Sequence, residues 1–167
     1  MFPQDMLAQA EALLTAARSL GLRVTTAESC TGGLIAGLLT AIGGSSDVID
    51  GGAVTYSNAA KTRMLGVPAD IITAHGAVSE AVARAMAEGA RASAGVDLAV
   101  AVTGVAGPGG GTAAKPVGLV WFGLSAPGGL IAESHVFPGD RTAIRMATVR
   151  HAVAMLRAHL TERSRYV

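Results

Sequence analysis

Ser29 lies in the stretch Thr26-Ala27-Glu28-Ser29-Cys30-Thr31-Gly32-Gly33, where a short apolar run gives way to an apolar helical pattern. A nucleophile at a strand-to-helix junction can meet the free backbone N–H groups of a helix N-terminus, and a developing oxyanion needs such donors. The second group of interest is Lys61. Among the 13 basic residues, lysine occurs only as Lys61 and Lys115; the others are arginine. Arginine cannot be deprotonated in a protein, so a lysine kept among arginines, in or beside a glycine-rich segment, is a candidate base.

Nucleophilic attack on a carbonyl needs a nucleophile, a proton shuttle and stabilisation of the oxyanion. Ser29 can supply the first once a base takes its proton. A Lys61 amine desolvated in an enclosed site has its pKa lowered toward the working range, and Ser–Lys pairs are an established variant of triad logic. Tyr56 precedes Lys61 by five positions and can relay a proton to a leaving group. The backbone N–H groups of Cys30, Thr31, Gly32 and Gly33 can face the oxyanion, glycine letting the substrate come close. This chemistry needs no metal and no cofactor.

Each residue also has a plainer reading. Ser29 can be an N-cap, Glu28 a helix-terminal or salt-bridging carboxylate, Lys61 a solvated helix residue and Tyr56 a strand residue at the core margin. Cys30, the single cysteine, is either a rival nucleophile or a buried structural thiol. His75 can be a base, a substrate contact, or a turn or helix-end residue. The loop from Gly104 to Thr112 is glycine-rich enough to wrap a phosphate through Gly104, Gly107, Gly109 and Gly110. It lacks both the P-loop ending and the dinucleotide fingerprint. With Lys115, Arg141 and Arg145 it forms a candidate phosphate or ribose contact region.

The elements that must position these groups follow from periodicity. Residues 4–20 carry Met6, Leu7, Ala10, Leu13, Leu14, Ala17 and Leu20 at helical spacing. Leu22 to Ala27 reads as a strand, about Thr31 to Ala41 as a helix ended by Gly43-Gly44, and Val48 to Tyr56 contains a second strand. Asn58 caps a short helix through Leu65, which Gly66-Val67-Pro68 stops. Ser79 opens an alanine-rich helix to about Ala94, and Asp97 to Val102 is a third strand. Val117 to Leu124 and Leu130 to Phe137 form a late hairpin across Ala126-Pro127-Gly128-Gly129, and Asp140 caps a last helix to about Leu160. Alternating helices and strands followed by a hairpin predict an α/β fold with a mixed, mostly parallel sheet.

Composition narrows the function classes. At 167 residues the chain fits one domain, 1–167, able to bury a full core without disulfide or metal. A formal net charge of +1 gives no reason to expect a nucleic-acid partner. No stretch is apolar and long enough to predict a membrane span. Without a signal-peptide pattern at the start, the expected location is cytoplasmic. Dispersed histidines and one cysteine make no metal-spacing motif.

Four ordered motifs carry a family resemblance: Ala27-Glu28-Ser29-Cys30-Thr31-Gly32-Gly33; Gly51-Gly52-Ala53-Val54-Thr55-Tyr56-Ser57-Asn58 with Lys61; Ala101-Val102-Thr103-Gly104-Val105-Ala106-Gly107-Pro108-Gly109-Gly110; and Phe137-Pro138-Gly139-Asp140-Arg141 with Arg145. From about Leu7 to Leu160 the chain resembles the CinA C-terminal domain family, whose characterised activity is nicotinamide-nucleotide amidohydrolase. The resemblance implies a three-layer α/β/α sandwich that often dimerises. It also implies hydrolysis of nicotinamide mononucleotide to nicotinate mononucleotide and ammonia by a serine assisted by lysine and tyrosine. Matched motif to motif, these are Ser29, Lys61 and Tyr56, with Thr103 and Arg145 in substrate handling. The molybdopterin-binding-like domain of longer members is absent from these 167 residues. Two alternatives stay open: another serine amidohydrolase on the same scaffold, and a non-catalytic nucleotide-binding regulatory module.

Overall fold

In a computed structural model that describes residues 1–165, the chain runs through α1 (Gln4–Ser19), β1 (Val24–Glu28), α2 (Leu34–Thr40), β2 (Ile49–Val54), α3 (Asn58–Leu65), α4 (Ala69–His75), α5 (Glu80–Ala94), β3 (Leu98–Gly104), β4 (Leu119–Ala126), β5 (Gly129–Val136) and α6 (Arg141–Ser164). The strands form one sheet in the order β2-β1-β3-β4-β5. β1 pairs in parallel with β2 and β3, and β4 is antiparallel to both β3 and β5. Only β4 therefore runs against the other strands.

Side-chain alternation along β3 builds two cores of different character. Leu98, Val100 and Val102 join the large cluster with α1, α2 and α6 residues such as Leu13, Leu38 and Val153. Ala99 and Ala101 point the other way, toward Val82, Met86, Ala87 and Ala90 of α5. Small residues on that face let α5 lie close against the sheet. A Cβ on Gly123 would come within 2.4 Å of the Ala83 carbonyl oxygen. The sheet is thus covered on both faces, as expected.

Several boundaries follow cap chemistry. The Ser79 and Asp140 side chains accept from Val82 N–H and Ala143 N–H and open α5 and α6 as predicted. The α3 cap is Ser57, whose Oγ accepts from Ala60 N–H, not Asn58. α2 starts at Leu34 instead of Thr31, because Gly32 and Gly33 have φ values of 60° and 97° that hold the chain in a turn. α4 is an element that the apolar pattern missed. Its seven residues bury only Ile72, too little for a visible stripe. Among the described residues no helix is long and apolar enough to cross a membrane.

The order β2-β1-β3 sends the chain first to one side of β1 and then to the other. In open α/β sheets ligands bind outside the carboxyl ends of strands at such a switch point. Here Glu28 ends β1 and Gly104 ends β3.

Candidate active site

Ser29 follows β1 directly, and its N–H donates to the Val102 carbonyl at 3.1 Å, so the neighbouring strand fixes its backbone. Lys61 reaches it from α3. Its Nζ lies 3.0 Å from Ser29 Oγ and 2.8 Å from the Thr55 carbonyl oxygen. Lys61 is 1% exposed, and among the described residues it pairs with no carboxylate within salt-bridge distance. Burial pulls its pKa below the ordinary lysine range, opposed in part by nearby Cys30. Lys61 is thus a buried amine without a counter-ion, held against a serine hydroxyl.

These two side chains line a cleft of about 210 Å³ together with Cys30, Tyr56, Asn58, Thr103, Gly104 and Arg141. Tyr56 is 61% exposed at its mouth. Its hydroxyl accepts from Arg141 Nη2 at 2.8 Å, while Arg141 Nη1 donates to the Gly107 carbonyl. Thr103 is buried and donates to the Ala77 carbonyl at 2.8 Å. Cys30 is also buried, and desolvation chiefly, with the charge of Glu28, pushes its thiol up to about 11. At neutral pH Cys30 is therefore a thiol, the less nucleophilic form.

Residues 6–160 match the CinA C-terminal domain family. The chain belongs to this family. It is 51% identical over 163 residues to a CinA-like protein of Citrifermentans bemidjiense, covering 98% of this chain and 39% of that protein. It is 52% identical over 140 residues to a CinA-like protein of Anaeromyxobacter sp. (strain K), covering 84% and 34%. The chain thus spans little more than a third of these curated relatives. The crystal structure of competence/damage inducible protein CihA from Agrobacterium tumefaciens superposes with a TM-score of 0.93 at 51% identity, covering 96% of this chain and 98% of that one. A CinA superfamily protein from Klebsiella pneumoniae gives 0.91 at 38% identity, covering 95% and 99%.

The CinA-family turn after Ser29 is held differently from what its sequence suggests. Glu28, 1% exposed, folds its carboxylate back over the N-terminus of α2. There Oε2 accepts from Thr31 Oγ1 at 2.6 Å, Gly33 N–H at 3.1 Å and Ile35 N–H at 3.0 Å, and Oε1 from Ala36 N–H at 2.8 Å and Thr26 Oγ1 at 3.3 Å. The expectation that the Gly32 and Gly33 N–H groups meet an oxyanion is corrected accordingly. Gly33 N–H is taken by Glu28, and Gly32 N–H donates to the Ser29 carbonyl at 3.1 Å. The Cys30 and Thr31 N–H groups donate to no other backbone or side-chain oxygen among the described residues.

Arg145 has a second corrected role. Its Nε and Nη2 donate to the Cys30 and Thr31 carbonyls at 3.1 and 2.9 Å, and it is absent from the cleft lining. Because C=O and N–H point oppositely across a trans peptide, holding the Cys30 carbonyl turns Thr31 N–H away from Arg145. Gly109 and Gly110 are exposed and lie outside the lining, as does Gly107, whose carbonyl receives Arg141. Lys115 donates to the His75 carbonyl at 2.6 Å, at the C-terminal end of α4. Sequence reasoning named Glu28 only as a helix-terminal or salt-bridging group. A carboxylate three positions before a threonine and five before a glycine was the available signal.

Proposed function

We propose that this CinA-family chain is an amidohydrolase that converts nicotinamide mononucleotide and water to nicotinate mononucleotide and ammonia, with Ser29 as nucleophile and Lys61 as its base. The observation that carries the reading is the 3.0 Å contact between Lys61 Nζ and Ser29 Oγ inside the cleft. A neutral Lys61 donates one N–H to the Thr55 carbonyl and accepts the Ser29 proton on its lone pair. Oγ then forms a bond to the carboxamide carbon, and the oxygen of that carbon takes the negative charge opposite Cys30 and Thr31 N–H. Collapse breaks the C–N bond, and ammonia leaves with the proton from Lys61, Tyr56 serving as the relay at the mouth. Water, deprotonated by the same amine, then cleaves the acyl-serine and restores Ser29.

Charge at the rim supports a mononucleotide over a bare ring. At about 210 Å³ the cleft falls below the roughly 300–1,000 Å³ that encloses a whole small-molecule ligand. It therefore takes the reacting end and leaves the phosphate at the rim, where Arg141 is exposed. The decisive assay is ammonia release from nicotinamide mononucleotide, nicotinamide riboside and free nicotinamide. Mononucleotide turnover lost in Ser29→Ala supports the reading. Binding without turnover would return the chain to a nucleotide-binding module, and preference for an unrelated amide would make it another serine amidohydrolase.

A further inference from the structure

Away from the cleft, β5 and α6 bring together three side chains that no step above uses. Glu133 and His135 stand on the same face of β5, two residues apart, and His151 faces them from α6. One ligand atom from each lies within 4.8 Å of the others. His135 Nε2 is 3.5 Å from Glu133 Oε1, and His151 Nε2 contacts that same oxygen. The carboxylate has a second oxygen that neither ring uses. Three ligand atoms converge on one point instead of pairing off.

Aromatic packing fixes both imidazoles. His135 stacks on Phe137 with centroids 5.8 Å apart and planes 16° apart, and His151 lies 4.5 Å from Phe122. The two imidazole centroids are 4.1 Å apart. A ring already oriented by its neighbours loses little freedom when it binds. In the sequence these histidines have no metal spacing; the fold creates the cluster by bringing a side chain of α6 to the edge strand β5.

The donor set selects a class of ligand. Calcium and magnesium take oxygen ligands, whereas two imidazoles and a carboxylate suit a zinc-class divalent ion and match the three-protein-ligand form of open zinc sites. Bonds of about 2.0–2.1 Å at tetrahedral angles place ligand atoms about 3.3 Å apart; the His135–Glu133 pair at 3.5 Å meets this spacing, and the closer His151–Glu133 contact must open for an ion to enter. Beside the cluster runs a groove of about 340 Å³ lined by Glu133, His151, Met155, His159 and Glu162 among others. It shares no lining residue with the Ser29 cleft and leaves room for a water in the fourth position.

We propose that Glu133, His135 and His151 bind a zinc-class divalent ion whose open position faces the β5–α6 groove, clamping the edge strand to the helix. The proposal is independent of the amidohydrolase reading. The test is calorimetric titration of the chelator-stripped full chain with zinc chloride, expected to give one ion per chain. His135→Ala and His151→Ala should each weaken binding by at least about 100-fold, the upper end of what losing only a ligand's supporting partner costs. Cys30→Ala and His75→Ala should bind as the unaltered chain does. Cobalt in place of zinc should show visible absorption without a sulfur charge-transfer band. Absence of binding, or binding that survives in His135→Ala/His151→Ala, overturns the site. Should the variants fail to fold by circular dichroism, ring NMR signals of His135 and His151 in the unaltered chain decide. They must shift at one equivalent of zinc, and unshifted signals overturn it equally.

Discussion

Replacing Glu28 by glutamine tests whether a buried carboxylate builds the turn that carries Ser29. The side chain keeps its shape but loses its charge and one of its two acceptors. Its best pose leaves the amide oxygen where Oε2 receives Thr31, Gly33 and Ile35, and puts the NH2 where Oε1 receives Ala36 N–H at 2.8 Å. Thr26 can rotate its hydroxyl to accept from that NH2; the Ala36 amide cannot. One orphaned donor costs about 1–3 kcal/mol, and the remaining bonds fall from charge-assisted to neutral strength. The lower cost of burying an amide than a carboxylate offsets part of this. The net loss is about 2–3 kcal/mol, or about 4–12 °C in Tm for a chain of this size. Glu28→Ala, which orphans Gly33, Ile35 and Ala36 N–H together, should lose more. Urea unfolding followed by the fluorescence of Trp121, the sole tryptophan, gives both values. A Glu28→Gln chain within about 0.5 kcal/mol of the parent, the range of ordinary surface substitutions, would refute the reasoning.

Lys61→Met should abolish ammonia release yet be at least as stable as the parent at pH 7, because it removes a buried amine. With the folded pKa lowered by burial, the unfolded chain binds more protons between that pKa and the ordinary lysine value. Parental stability therefore rises with pH through that window and the variant's advantage shrinks; denaturant melts across the alkaline range check the sign. Ser29→Ala should be inactive and Cys30→Ala substantially active, and mass spectrometry of a trapped acyl adduct should locate it on Ser29; the reverse pattern would transfer the role to Cys30. Arg141→Ala should lose a charge-assisted phosphate contact of about 1.5–3 kcal/mol, roughly ten- to more than a hundredfold in kcat/KM on the mononucleotide, with little change on the riboside. Arg145→Ala should lose equally on both substrates, and a loss confined to the mononucleotide would restore it as a phosphate reader.

The sheet and its long helices were legible because each buries a stripe or an alternating face large enough to see: Leu13 and Leu14 in α1, Leu98 to Val102 in β3, Val82 and Met86 in α5. α4 was not legible, since a seven-residue helix with one buried side chain leaves no pattern. At the site, residue types pointed to Ser29, Lys61 and Tyr56, and the fold gathers all three around one cleft. What sequence could not tell was where each polar group spends its hydrogen bonds. Glu28 takes one amide, that of Gly33, which was assigned to an oxyanion, and Arg145 takes carbonyls instead of a phosphate. The Arg145 contacts join positions more than 100 apart, and the Glu28 contacts depend on a turn geometry, neither of which local periodicity records.

That long reach has a consequence for when the chain becomes competent. The Ser29 turn is closed from three directions: by Glu28 beside it, by Val102 of the adjacent strand and by Arg145 from the last helix. A chain emerging from the ribosome can pair β1 with β3 long before α6 is made. Until α6 docks, Arg145 does not hold the Cys30 and Thr31 carbonyls, and the peptide planes around Ser29 stay free to rotate. On the proposed function, the site geometry would be the last property this chain acquires during synthesis, and turnover would report completed folding.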